Sequence, residues 1–76
     1  MITIQIYGTG CQKCIQLAHH AEAAAQALGL EYELEKITDI NAIIDAGVMS
    51  TPGLGVNGEV KSTGKVLSAE AIKRLL

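Results

Sequence analysis

The chain has 76 residues, 49% of them hydrophobic, with six basic against eight acidic side chains and a net charge of −2. That describes one small domain, residues 1–76, whose core has little to spare and, without Trp or Phe, is filled by Leu, Ile, Val and Ala. No basic stripe argues for nucleic acid, no cationic amphipathic helix for a membrane surface, and no apolar run nears the ~18 residues of a membrane span.

The first predicted element is a strand. Ile2, Ile4 and Ile6 alternate with Thr3, Gln5 and Tyr7. It begins at once, with no charged leader, and a cytoplasmic protein is expected. The stretch Gly8-Thr9-Gly10-Cys11-Gln12-Lys13-Cys14 then holds both cysteines and opens a helix from about Cys11 to Leu28, stopped by Gly29. On that helix Cys14, Leu17, Ala18, Ala21, Ala24, Ala25 and Leu28 share an arc of roughly 120°, the width of a core-facing stripe. Gln12, Lys13, Gln16, His19, His20 and Gln26 take the opposite side.

Leu30 to Ile37 alternates again, with Glu31, Glu33 and Glu35 on one face, and reads as a strand with a polar face or as an edge guarded by charge. Thr38 or Asp39 caps a short helix through Ala46, ended by Gly47, with Ile40, Ile43 and Ile44 as its apolar face. Asn57-Gly58 between Leu54–Val56 and Glu59–Ser62 is a strong hairpin signal. Ser68 caps a last helix to Leu76, with Leu67 and Ile72 placed as a hydrophobic staple. The order is βαβαββα, and the long first crossover implies a parallel pair with a right-handed connection.

A Cys-x-x-Cys pair where a strand meets a helix serves thiol–disulfide exchange or soft-metal binding. The first turn of a helix has free N–H groups and a partial positive charge, which favour a thiolate. Cys11 lies there at the edge of the apolar arc, beside the cation of Lys13, and is the expected nucleophile. Cys14 lies inside the arc and is the expected resolving thiol. A metal joining the pair to His19 is excluded on a continuous helix, because eight positions span about 12 Å at 1.5 Å per residue. His19 and His20 read as a solvated face, Tyr7 and Tyr32 as partly buried structural residues, and no metal site is assigned.

With the motif Ile6-Tyr7-Gly8-Thr9-Gly10-Cys11-Gln12-Lys13-Cys14 and the loop Thr51-Pro52-Gly53, the whole chain resembles the small prokaryotic thioredoxin-like or glutaredoxin-like proteins, the redox-active disulfide proteins. The resemblance implies a thioredoxin-like α/β fold, a four-stranded mixed sheet with helices on both faces. It also implies a cis peptide at Pro52, substrate contacts from the backbone of Thr51, and Gly64 as the glycine that lets the chain pass close to the site. Gly10, Gln12 and Lys13 are implied as supporting residues by their place in the motif. Dithiol–disulfide oxidoreductase activity follows, with disulfide-containing protein substrates, a thioredoxin-reductase-type donor, no bound cofactor and a monomeric state. Departures from the family pattern are Gly10 for the usual Trp, Gln12-Lys13 for Gly-Pro, and Gln5 for a buried acid that assists proton transfer. The segment Gly64-Lys65-Val66-Leu67-Ser68 lacks the acidic pair with which glutaredoxins hold glutathione, and Lys65 reads as a solvated lysine, a substrate carboxylate being its alternative partner. Two other function classes stay open: a small soft-metal chaperone using Cys11 and Cys14, and a non-catalytic interaction module. Against the chaperone stand Thr9 two residues before the first Cys, where Met is usual, the helix predicted from Ser68, and the Thr51-Pro52 loop.

Overall fold

The computed structural model describes residues 1–76. Its elements are β1 (Ile2–Tyr7), α1 (Gln12–Ala27), β2 (Tyr32–Ile37), α2 (Ile40–Asp45), β3 (Gly53–Val56), β4 (Glu59–Thr63) and α3 (Ala69–Lys73). The four strands form one sheet in the order β2-β1-β3-β4. β1 pairs parallel with β2 and antiparallel with β3, and β3 pairs antiparallel with β4. The glutamate-bearing β2 is thus an edge strand, the second of the two readings its charge pattern allows.

Period-two alternation divides the core between the faces of the sheet. Ile4, Ile6 and Leu54 meet Leu17, the alanines of α1 and Ile72 of α3. Alanine at 18, 21, 24 and 25 keeps that face of α1 shallow, so the helix lies close against the strands. On the other face Tyr7 packs with Ile43 of α2 and Val48. β3 yields room there through glycine. A Cβ on Gly55 would lie 3.0 Å from both the Tyr7 ring and the Gln5 amide oxygen, and one on Gly53 would lie 2.9 Å from Val48. Helices therefore cover both faces, and none is long and apolar enough to cross a membrane.

The structure shifts several element ends, two of them through glycine caps. After α1 the N–H of Gly29 bonds Gln26 and that of Leu30 bonds Ala25, both at 3.0 Å, with Gly29 at φ 68°. This glycine cap commits Leu30 to the helix end. β2 therefore starts at Tyr32 rather than Leu30, and Leu28 is left 44% exposed instead of completing the apolar arc. The same pattern closes α2, where Gly47 bonds Ile44 and Val48 bonds Ile43, folding Val48 back under the helix. With six residues, α2 buries Ile43 alone; Ile40 and Ile44 stay 61% and 57% exposed, contrary to the three-residue apolar face expected. α3 ends at Lys73, because Leu75 and Leu76 bond back to Ile72 and Lys73 in a tighter turn.

The hairpin follows its Asn-Gly signal. Asn57 at φ 53° and Gly58 at φ 85° both occupy the left-handed region, as a type I′ turn requires. Asn57 also ties the hairpin to β1: its N–H donates to the Thr3 carbonyl at 2.7 Å, and its Oδ1 accepts from the Thr3 N–H at 3.0 Å.

Candidate active site

β1 ends at the site. Its ladder to β2 closes with the Gly8 N–H donating to the Ile37 carbonyl at 3.0 Å. Gly10, at φ 88°, turns the chain into α1 in a conformation that a side chain disfavours. Cys11 then occupies the N-cap rather than the first helical residue, with φ −68° and ψ 165°. Its sulfur accepts the N–H of Cys14 at 3.3 Å, the role a serine or aspartate oxygen plays at most helix starts. The two sulfurs lie 2.6 Å apart, both cysteines are free, and Cys11 is exposed whereas Cys14 is buried.

Two like residues thereby acquire opposite acidities. Hydrogen bonds from the Cys14 side chain and backbone hold the Cys11 thiol below its ordinary value, with lesser help from the backbone N–H groups of Lys13 and Cys11. Burial pushes the Cys14 thiol up, and its contact with the Cys11 sulfur pushes the same way. Lys13 acts here through its backbone; its charge, expected to favour the thiolate, is not among the causes. Gln12 and Lys13 are both exposed on the first turn.

Residues distant in sequence close the site. A Cβ on Gly8 would overlap the Cys14 sulfur and lie 3.9 Å from the Thr51 Cβ, so strand end, sulfur and loop converge at that glycine. Pro52 is fully buried, and the Thr51–Pro52 peptide is cis. The Gly64 N–H donates to the Ser50 carbonyl at 3.0 Å and the Pro52 carbonyl at 2.9 Å, clasping both sides of Thr51. Gly64 is at φ 70°, and a Cβ there would come within 3.1 Å of Ser50. Thr51 is exposed, and its own N–H and C=O make no hydrogen bond within the protein. Gln5 is buried, with its amide oxygen accepting the Gly58 N–H at 3.1 Å in the hairpin.

Other residues behave differently from their sequence reading. His20 is half-buried, its Nδ1 bonding the Leu67 carbonyl at 2.8 Å, and it ties α1 to the segment before α3 rather than facing solvent. His19 is exposed, as expected. Tyr7 is buried and belongs to the second core cluster. No cluster of three His, Cys, Asp or Glu forms around the cysteines.

Sequence reasoning missed the surroundings of the site. A small cavity of about 50 Å³ beside Cys14 is lined by Ile6, Gly8, Ile15, Lys36 and Thr38 among others. A larger, open groove on the other side runs past Thr9, Ile40, Ile44, Met49 and Thr51. The available signal was arithmetic: three isoleucines on one helical turn and a half, followed by Val48 and Met49, are more apolar side chains than a six-residue helix can bury.

This dithiol at a helix N-cap, set against a proline loop on a βαβαββα sheet, defines a protein of the thioredoxin-fold, dithiol-exchange class. The thioredoxin domain family model matches residues 2–76. A thioredoxin of Methanothermobacter thermautotrophicus is 47% identical over 76 residues, covering 100% of this chain and 99% of that protein. One of Methanocaldococcus jannaschii is 40% identical over 100% of this chain and 87% of that protein. A solved structure of thioredoxin-2, described as a component of malaria parasite protein secretion machinery, superposes with a TM-score of 0.71 over 99% of this chain and 80% of its own. At 15% identity that likeness speaks for the fold alone. The chain belongs to the thioredoxin family and is a thiol–disulfide oxidoreductase. Its class acts on disulfide substrates and draws electrons from a reductase.

Proposed function

We propose that Cys11 is the attacking thiol and Cys14 the resolving one in a dithiol–disulfide exchange carried out by this single domain. The Cys11 thiolate attacks one sulfur of a protein disulfide, forms a mixed disulfide and expels the other sulfur as a thiolate, which takes up a proton. Cys14 then loses its proton and attacks the Cys11 sulfur. The internal disulfide forms, and the second substrate thiol leaves. Two electrons pass to the substrate, carried by the two sulfurs with no bound cofactor. A reductase of the thioredoxin-reductase type returns them in the cytoplasm.

The observation that carries this reading is the asymmetry of the pair: an exposed N-cap sulfur of lowered pKa in contact with a buried sulfur of raised pKa. The free N–H and C=O of Thr51 support a further assignment. They pair with an extended substrate segment as an added strand would, beside the sulfurs and under the clasp of Gly64. Pro52 and Gly10 shape the site, and Gln12 and Lys13 form its solvent side. The test is reduction of a disulfide-bonded protein with dithiothreitol as donor, the chain acting as monomeric catalyst. Turnover in the wild type and none in Cys11→Ser is expected; undiminished turnover in Cys11→Ser would overturn the assignment.

A further inference from the structure

Charge is divided unevenly along this chain. Residues 59–76 hold four of the six basic side chains, Lys61, Lys65, Lys73 and Arg74, against Glu59 and Glu70, a formal +2. The other 58 residues hold Lys13 and Lys36 against six acidic side chains, a formal −4. The fold turns this into a separation in space. Of the last 18 residues, β4 forms one edge of the sheet and shares a groove with α3, and the glutamates of β2 lie at the opposite edge. At the basic edge Glu59 pairs with Lys61 at 3.1 Å and Glu70 with Lys73 at 3.0 Å, which leaves Lys65 and Arg74 without an acidic partner.

Those two cations face one hollow. An open groove of about 390 Å³ between β4 and α3 is lined by Lys61, Ser62, Lys65, Leu67, Arg74 and Leu75, with no acidic side chain. A second hollow shares Lys61, Ser62 and Lys65 and extends along β4. The groove's lining combines the apolar side chains of Leu67 and Leu75 with the cations of Lys61, Lys65 and Arg74. One of its cations, Lys65, directly follows the Gly64 that bonds the Ser50 and Pro52 carbonyls on either side of Thr51.

We propose that this groove docks an acidic segment, carrying apolar side chains, of a protein whose disulfide is exchanged with Cys11 and Cys14. The inference rests on the exchange reaction proposed above and adds a partner class to it. Charge complementarity selects the occupant: carboxylates match Lys65 and Arg74, and leucine-type side chains match Leu67 and Leu75. A nucleic acid is disfavoured, because its long polyanion would also meet the −4 of the remaining surface.

The sign of the effect separates the groove from bulk charge. The chain as a whole is an anion, so its net charge alone makes an acidic substrate react more slowly than a neutral one. The groove makes it react faster. The experiment measures the second-order rate at which the reduced protein is oxidised by two disulfide peptides. They share one sequence except for a flank of Asp, Glu and Leu in one and Asn, Gln and Leu in the other, placed in turn on each side of the disulfide. With the flank on one side, an advantage of roughly tenfold for the acidic peptide at low salt is expected, shrinking towards one at high salt. The double variant Lys65→Glu, Arg74→Glu is expected to abolish or reverse that advantage while leaving the neutral-peptide rate unchanged; Lys65→Gln, Arg74→Gln guards against a folding effect of charge reversal. Equal rates for the two peptides at low salt would overturn the docking proposal, as would an advantage that survives the double variant. So would a single-stranded oligonucleotide that competes for the groove more tightly than the acidic peptide. Loss of reaction with the neutral peptide in the wild type would strike the exchange reading instead.

Discussion

An N-cap residue stands outside the helix yet within reach of its free N–H groups, and that position explains the reactivity assigned to Cys11. Its sulfur takes a helix N–H that Cys14, one turn on and buried, cannot accept for its own thiolate. The two thiols should therefore titrate in separate steps, Cys11 below and Cys14 above the ordinary thiol value. Only a thiolate alkylates. Between the two steps iodoacetamide should modify Cys11 almost alone, and Cys14 should react only as the pH is raised further. Peptide mapping after brief alkylation at a series of pH values checks this; equal labelling at neutral pH would contradict it. Lys13 offers a second test at this scale. Substituting Ala keeps the backbone N–H that favours the Cys11 thiolate and removes only an exposed, solvent-screened charge. Thiolate absorbance of Lys13→Ala should therefore show Cys11 still titrating below the ordinary thiol value, as in the wild type; a return to the ordinary value would contradict the backbone account.

At the scale of elements, strands and turns were legible in the sequence and element ends were not. Alternation located β1, and Asn-Gly located the hairpin, because each signal lies within its own few residues. Leu28 and Leu30 were misread because a glycine cap pulls the residues around it into the helix terminus, a geometry that apolar periodicity does not encode. Ile40 and Ile44 were misread because burial depends on what lies opposite, and of α2 only Ile43 is buried, against Tyr7 and Val48. Of the candidate site, the cysteine pair was legible from spacing, whereas the Thr51 loop and Gly64 were reached only through family resemblance, since contacts across the sheet leave no local pattern. The hairpin carries an expected energetic effect. Asn57→Ala removes the Oδ1 bond to the Thr3 N–H and leaves in the left-handed region a residue without the local hydrogen bonding that lets asparagine occupy it. A loss of about 1–2 kcal/mol is expected, read from the shift in urea midpoint at unchanged slope.

Across the whole molecule, the site lies where the C-terminal end of β1, the start of α1 and the loop before β3 meet, supported from both faces of the sheet. Each face contributes one neighbour: the Cys14 cavity backs onto the main core through Ile6, and the exposed apolar groove adjoins the second cluster through Ile43 and Val48. A rigid sheet thereby holds one sulfur exposed and its partner sheltered, on which ordered exchange depends. The most direct test replaces Cys14 with Ser and mixes the reduced variant with a disulfide-bonded protein. Without a resolving thiol the reaction should stop at the mixed disulfide, and mass spectrometry should find one substrate joined to Cys11 in high yield, with no such adduct accumulating in the wild type. A Cys14→Ser variant that forms no adduct, or a Cys11→Ser variant that traps substrate on Cys14 equally well, would contradict the account.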